Sequence, residues 1–328
     1  MKRPVFLGLL ALKLGFTGFA LWFVATRVDL SDALATLFLI DPRYASAAAA
    51  IALGQYWLAS ARFAIVPRLV NKPLSQGEAA RITFIGGFFG QAFATFVSGD
   101  AMRVWLLARH GAGYRAAAEA VLLDRVFGIA ALVVLIALGL PMLLAILPSD
   151  IMRAGAALVT AGFAGLIGGF VVLGWLRPFS ASDKFSWLAD FAGAARHILA
   201  APAKAAGALS FGLAVQLLSV ASIYVLFHGL GVTVSALNCF IFIPFVMLLA
   251  MLPISFAGWG LREASVVAAF ALTGIASEPA LSVSIAFGLI ILIASLPGLV
   301  LWLTGAARMP KGSMAASENS PAALRMPP

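Results

Sequence analysis

Long apolar stretches separated by short polar segments make up most of this 328-residue chain. A membrane-spanning helix needs about 20 consecutive apolar residues, and six stretches reach that length. Because these stretches are too long for the strands of a membrane barrel, the pattern predicts an all-α, polytopic transmembrane helix bundle. The predicted spans are 5–25, 44–66, 118–147, 152–176, 207–228 and 280–304.

Two further apolar stretches, 82–109 and 237–275, are interrupted in the middle by glycine and charged residues. We predict that each forms a broken or re-entrant helix pair. Loop charges support this layout, because cytoplasmic loops of membrane proteins collect lysine and arginine. If the N-terminus is cytoplasmic and 82–109 returns to its starting side, 18 of the 22 basic residues lie inside. We therefore expect a bacterial inner-membrane protein with both termini in the cytoplasm.

The composition agrees with a membrane protein, since 62% of the residues are hydrophobic and 11% are charged. Soluble proteins carry about 25% charged residues. The positive-inside bias accounts for the net charge of +9, so we expect no nucleic-acid partner. One cysteine and three scattered histidines argue against a metal site. Because no nucleotide-binding or hydrolase motif is visible, we expect no cofactor and no enzymatic activity.

The chain is interpreted as one transmembrane domain over 1–305, followed by a disordered cytoplasmic tail over 306–328 that is rich in Ser, Pro and Ala. The chain begins with basic residues that are followed by an apolar stretch. Because this stretch is longer than the apolar core of a typical signal peptide, we expect it to be a retained first helix. Residues 182–200 carry apolar side chains near helical spacing, which predicts an interfacial amphipathic helix. A partner-binding helix is the alternative for that segment.

The first candidate site is the segment GDAMR at 99–103. Ionisable residues inside a membrane are costly and are therefore functional candidates. A half-helix that begins near Gly99, where the chain can turn sharply, would offer free N–H groups to an anion. Asp100 could cap that helix, with Arg103 on the same face. A purely structural ion pair between the two is the alternative.

The second candidate site is the segment SFAGWGLRE at 255–263. Gly258 and Arg262 repeat the four-residue spacing of the first site, and an acid, Glu263, follows directly. With Ser255, these residues are predicted to bind substrate. Two such breaks that open to opposite faces are what an inverted repeat would produce, with the site between them. Chance similarity of two short segments is the alternative.

A third cluster lies at the start of the 118–147 span, where Asp124 and Arg125 are adjacent and therefore point to different sides of the helix. Asp124 joins the candidate set, and we expect it to hold a neighbouring arginine such as Arg103 rather than substrate. Arg125 is interpreted as a residue of the cytoplasmic boundary. Three glutamines are interpreted as interhelical hydrogen-bonding residues: Gln55, Gln91 and Gln216.

Three stretches of the chain resemble a known family. They read GGFFGQAFATFVSGDAMRVWLLAR, AAAEAVLLDRVFGIAALVVL and LPISFAGWGLREASVVAAFALTGI, and they are similar to the flippase-like membrane region of lysylphosphatidylglycerol synthases. The resemblance covers roughly 5–305 and implies lipid translocation or lipid-pathway transport. It also implies a stand-alone member without the aminoacyl-transferase domain, so that reaction is not expected.

The leading hypothesis is an inner-membrane lipid transporter whose partners are membrane lipids. Arg103 and Arg262 would engage an anionic head group, Asp100 and Glu263 would orient them, and the two hairpins would gate opposite sides. Some relatives are associated with hopanoid or glycolipid pathways. The alternative is therefore an integral-membrane enzyme, or an accessory scaffold that binds lipid-biosynthesis proteins.

Overall fold

The computed structural model describes residues 35–69, 73–92, 96–175, 192–193, 195–196, 198–251 and 260–304. These residues are helical or lie in short turns, and none of them forms a strand. A π-helical turn, Ala108–Ala112, precedes the fourth helix. The main helices are α1 (Pro42–Leu69), α2 (Gln76–Ala92), α3 (Phe96–Leu107), α4 (Tyr114–Ile146), α5 (Asp150–Trp175), α6 (Pro202–Gly229), α7 (Ala236–Ala250), α8 (Leu261–Ala271) and α9 (Ser277–Leu303).

Five of the six predicted spans are confirmed, because α1, α4, α5, α6 and α9 are long and apolar enough to cross a membrane. The chain is therefore a multi-pass helical membrane protein. The remaining span, 5–25, lies outside the described residues, as do the tail over 306–328 and most of 182–200. The described part of 182–200 is helical, and Ala195 lies directly against Gly174 near the end of α5.

Both interrupted stretches form pairs of short helices, as predicted. In the first pair α2 has 17 residues and α3 has 12, and the two pack against each other. In the second pair α7 has 15 residues and α8 has 11, and these are also in contact. Since about 20 residues are needed to cross the hydrocarbon, none of these four helices is long enough to span it alone.

Local hydrogen bonds explain where the short helices begin. Ser75 and Glu78 form a capping box at the start of α2, in which the Ser75 N–H and hydroxyl donate to Glu78 Oε2 at 2.9 and 2.6 Å. At the start of α8, Gly260 adopts a φ of 84°, which favours glycine. The Gly260 N–H donates to Glu263 Oε2 at 2.6 Å. An acid in the first turn thus fixes the start of α2 and of α8.

Two apolar cores hold the bundle together. One is built around the first broken pair and the adjacent parts of α1 and α4, with Phe63 and Leu106 fully buried in it. The other is built around α6, α7, α8 and α9, and in it the rings of Phe227 and Phe270 lie 4.7 Å apart between centroids. Each broken pair is therefore anchored in its own core, and α1, α4 and α6 contribute to both.

Candidate functional site

A cavity of about 350 Å³ lies between the two broken helix pairs and the long spans. Its wall includes Arg103 from α3 and Arg262 from α8, together with residues of α1, α2, α4, α6, α7 and α9. The volume lies within the range of small-molecule sites, about 300–1,000 Å³. The two arginines that the sequence analysis singled out, which are 159 positions apart in the chain, therefore line one cavity.

Asp124 joins three helices on one side of this cavity. Its side chain is 1% exposed, and it lies ten residues, or about 15 Å of helical rise, beyond the first residue of α4. Arg62 of α1 donates to both of its oxygens, from Nε at 2.7 Å and from Nη2 at 3.1 Å. Arg103 of α3 donates to Oδ2 from Nη2 at 2.8 Å. The prediction that Asp124 holds Arg103 is confirmed.

Asp100 has a different main partner from the one that the sequence suggested. Arg125 donates to both of its oxygens, from Nε at 2.8 Å and from Nη2 at 3.0 Å. Arg103 Nη1 lies 3.7 Å from Asp100 Oδ1, beyond hydrogen-bond distance. Arg125 also lines the cavity, a role that its interpretation as a boundary residue did not include. Asp100 therefore mainly orients Arg125, because two parallel hydrogen bonds fix the direction of the guanidinium group.

Gly99 serves close packing of two helices. Helix α3 already begins at Phe96, so the prediction of a half-helix that starts near Gly99 with Asp100 as its cap was wrong. A Cβ atom on Gly99 would lie 2.6 Å from the Gly86 carbonyl oxygen and 3.0 Å from the Gly90 Cα. Ser98 Oγ donates to the Phe89 carbonyl at 2.9 Å. The glycine is required because the backbones of α2 and α3 touch there.

Arg262 is held by its neighbour in the chain. The Arg262 and Glu263 residues are 7% and 2% exposed, and Arg262 Nε donates to Glu263 Oε1 at 3.0 Å. The Ser284 hydroxyl on α9 donates to the same oxygen at 3.3 Å. The prediction that Glu263 orients Arg262 agrees with this geometry. Ser255 and Gly258, the other members of that motif, lie outside the described residues and stay predictions.

The charged groups around the cavity do not cancel. Among the described residues, four guanidinium groups and three carboxylates lie in or next to the cavity wall, which leaves one excess positive charge in this set when all of them are ionised. In a water-poor membrane interior an excess charge is costly unless an opposite charge approaches it. The arrangement therefore favours an anion. The charged residues are Arg62, Arg103, Arg125, Arg262, Asp100, Asp124 and Glu263.

Three buried polar atoms in the cavity wall lack a hydrogen-bond partner among the described residues: Arg103 Nε, Gln55 Oε1 and Thr83 Oγ1. Buried polar atoms are nearly always paired in folded proteins, so a ligand is a natural partner for these. The prediction that Gln55 forms an interhelical hydrogen bond is confirmed, since its Nε2 donates to Ser219 Oγ on α6 at 2.7 Å. Gln91 and Gln216 line the same cavity.

Arg62 and Thr83 line the cavity but were not predicted from the sequence as site residues. Arg62 was counted as a cytoplasmic charge, although its guanidinium lies in the cavity wall. Its position seven residues after Gln55 was the available signal, because residues i, i+4 and i+7 share one face of a helix. Ala59 completes that face and also lines the cavity. Thr83 carries no such signal, as an isolated threonine in an apolar helix is common.

The acidic residues of the site do not form a metal-binding cluster with other described side chains. Within the described ranges, no three side chains of His, Cys, Asp or Glu are grouped so that they could hold a metal ion. The carboxylates of Asp124 and Glu263 are instead engaged by arginine.

The chain matches a known protein family. The family model described as the lysylphosphatidylglycerol synthase TM region matches residues 9–298. That range includes every described residue of the cavity wall. No curated protein matches the chain.

Proposed function

We propose that this chain, which belongs to the family of the lysylphosphatidylglycerol synthase TM region, is a flippase-like transporter that moves or handles an anionic or lipid-linked substrate. Membership places the protein in lipid-related processes of the membrane. The observation that carries the finer proposal is that Arg103 and Arg262, from different broken helix pairs, line one cavity with an excess positive charge. A phosphate head group supplies the anion that such a cavity favours.

Arg103 is the side chain that we propose to receive the phosphate. Its Nε is buried and has no partner among the described residues, while its Nη2 is bonded to Asp124. If Arg103 turned towards a phosphate, Asp124 would keep the two-point bond from Arg62 and would not become an unpaired charge. The Phe63 ring, whose centroid lies 4.1 Å from Arg103 Cζ, would continue to support the guanidinium.

The two broken helix pairs are the proposed gates. Each pair carries one of the two arginines at the cavity and is anchored in a separate apolar core. Discontinuous helices of this kind surround mid-membrane sites in transporters built from inverted repeats. Movement of one pair against the long spans would open the cavity towards one face while the other pair keeps the opposite face closed.

The proposed location is the inner membrane of a bacterium, with both termini in the cytoplasm. Arg62, Arg103, Arg125 and Arg262 lie in the cavity wall, so they should not count as loop charges. Without them, the predicted layout still has 15 basic residues inside and 3 outside, which is a clear positive-inside bias. Reporter fusions at the two ends test this orientation, and termini on opposite sides would contradict it.

Reconstitution in vesicles tests the transport proposal. We expect protein-dependent movement of fluorescent phosphatidylglycerol between leaflets. The measured quantity is the fraction of the fluorescence that a membrane-impermeant reductant can quench. The variant with both Arg103→Ala and Arg262→Ala should move the lipid at least about tenfold more slowly, since two charge-assisted contacts are removed. Arg153→Ala is the matched control, because Arg153 pairs with Asp150 at the exposed start of α5.

Two results would overturn the transport proposal. One is the absence of protein-dependent movement of any tested lipid, and the other is full activity of the double variant. A chemically altered lipid recovered after incubation would favour the alternative of an integral-membrane enzyme. Stable co-purification with lipid-biosynthesis proteins, without lipid movement, would favour the accessory scaffold.

A further inference from the structure

We infer that the cavity selects head groups that carry an O–H or N–H donor next to the phosphate, and that Gln55 and Thr83 recognise this donor. The inference rests on the proposed function and narrows its substrate class. Three buried polar atoms of the cavity wall have no hydrogen-bond partner among the described residues, and they differ in their chemistry. Arg103 Nε is a donor, Gln55 Oε1 is an acceptor, and Thr83 Oγ1 can act as either.

The orientation of the Gln55 amide is fixed by its neighbours. Its Nε2 donates to the Val215 carbonyl at 3.2 Å and to Ser219 Oγ at 2.7 Å. A carbonyl can only accept, and the Ser219 hydroxyl itself donates to Val215 at 3.3 Å. The amide nitrogen must therefore face α6, because the flipped amide would place two acceptors against each other. Gln55 Oε1 is left as a buried acceptor in the cavity wall.

An acceptor in that position requires a donor from the ligand. The Gln55 residue is 6% exposed and Thr83 is also 6% exposed, so both are nearly removed from bulk solvent. A ligand that fills the cavity without offering a donor would leave Oε1 desolvated and unpaired, which weakens binding. Sites built around a buried hydrogen-bonding group reject analogues that lack the matching group much more strongly than apolar pockets reject extra or missing methylenes.

Helix α1 carries both a residue for recognition of the donor, Gln55, and an arginine of the charged cluster, Arg62. Gln55 and Arg62 lie on the same face, seven residues or about 10 Å of helical rise apart, with the small side chain of Ala59 between them. On α2, Thr83 lies one turn before Gly86, and a Cβ on Gly86 would lie 2.4 Å from Arg103 Cγ. The phosphate-binding arginines and the donor-recognising pair are therefore neighbours in one cavity.

This chemistry distinguishes common phospholipids. Glycerol and sugar head groups offer hydroxyl donors, and a primary amine offers N–H donors, each a few bonds from the phosphate. The quaternary ammonium of phosphatidylcholine offers no such donor. The cavity should therefore prefer phosphatidylglycerol or phosphatidylethanolamine to phosphatidylcholine, although all three carry a phosphate that Arg103 could bind.

The test uses the full chain in vesicles that contain trace fluorescent phosphatidylglycerol, phosphatidylethanolamine or phosphatidylcholine, with the label on the acyl chain. For the unmodified protein we expect the first two lipids to move at least about tenfold faster than the third. Gln55→Met should reduce this preference to about twofold or less by slowing the two donor lipids, with little change for phosphatidylcholine. Thr83→Val, which keeps the side-chain shape, should reduce the preference in the same direction.

Ser222→Ala is the matched control. The Ser222 hydroxyl is also buried without a partner among the described residues, but it does not line the cavity, so the preference should not change. Equal movement of all three lipids by the unmodified protein would overturn the inference and leave the transport proposal intact. An unchanged preference in both Gln55→Met and Thr83→Val, in protein that elutes as a single folded species, would also overturn it. Movement of none of the lipids would instead contradict the transport proposal.

Discussion

The two broken helix pairs present similar short motifs to the cavity, but they hold their arginines in different ways. Arg103 of the first pair reaches across to α4, where it shares Asp124 with Arg62 of α1. Arg262 of the second pair is bonded to Glu263, its own neighbour, with Ser284 of α9 as a further contact. The first arginine therefore has its acidic partner on another helix, whereas the second has its acidic partner on its own helix.

This difference has consequences for function. A movement of the first pair must rearrange the bonds that join α1, α3 and α4. A movement of the second pair can carry Arg262 and Glu263 together, because Glu263 also caps α8 through the Gly260 N–H. The cavity thus combines an arginine tied to the long spans with an arginine that can travel with its own helix. Substitutions in the two pairs and their partners, with stability as the measured quantity, test this contrast.

The largest loss of stability is expected for Asp124→Asn. The change leaves the buried guanidiniums of Arg62 and Arg103 without their shared negative charge, and breaking a buried ion pair costs about 3–5 kcal/mol. The free energy of unfolding in detergent should fall by that order. A loss below about 1 kcal/mol would show that Asp124 does not join the three helices energetically.

A smaller loss is expected for Gly99→Ala. The new Cβ would lie 2.6 Å from the Gly86 carbonyl oxygen, so α2 and α3 would have to separate, at a cost of about 1–3 kcal/mol. Gly162→Ala on α5 is the control, since no described atom lies within 4 Å of its added Cβ. Equal melting temperatures for the two variants would disprove the close contact between α2 and α3.

Glu263→Gln should cost about 1–2 kcal/mol, less than Asp124→Asn. The carbonyl oxygen of glutamine can replace Oε1 as the acceptor for Arg262, but its amide nitrogen replaces Oε2 and cannot accept from the Gly260 N–H. The loss therefore comes from the charge and from one capping hydrogen bond, while Arg262 keeps a hydrogen-bond partner. A loss as large as that of Asp124→Asn, measured in the same detergent, would contradict the contrast between the two pairs.

The smallest effect is expected for Arg153→Ala at the start of α5. Its partner Asp150 is 97% exposed, and exposed ion pairs contribute little to stability. The melting temperature should stay unchanged within error. A clear decrease would mean that the hydrogen bond from Arg153 Nε to the Leu147 carbonyl, at 3.1 Å, stabilises the turn between α4 and α5.

Much of the fold could be predicted from the sequence because membrane helices have a length requirement. The spans over α1, α4, α5, α6 and α9 followed from apolar length alone, and the broken pairs from glycine and charge within apolar stretches. The ion-pair partners of the charged residues were predicted less accurately from the sequence. Asp124 was matched with Arg103, but Asp100 was matched with the same arginine although its main partner is Arg125. Adjacency in sequence does not show which helix packs alongside.

Gly99 illustrates the same limit. A glycine before a charged pair predicted a turn, because glycine permits sharp turns. In the structure it lies inside α3, where only a hydrogen fits against Gly86 and Gly90. A turn and a close helix contact both require glycine, and the sequence alone does not distinguish them. Arg62 was missed for a related reason, because a basic residue near the end of a span is typical of a cytoplasmic boundary.

The most direct test of the central claim is a double-mutant cycle for lipid binding with Arg103→Ala, Arg262→Ala and the combined variant. If both arginines engage one head group, their effects on the binding of phosphatidylglycerol to the purified protein should be coupled. We expect an interaction energy of at least about 0.5 kcal/mol, the level reached by residues that share a partner. Additive effects within about 0.3 kcal/mol would mean that the two arginines act on separate ligands, and would contradict the proposal of one shared anion site.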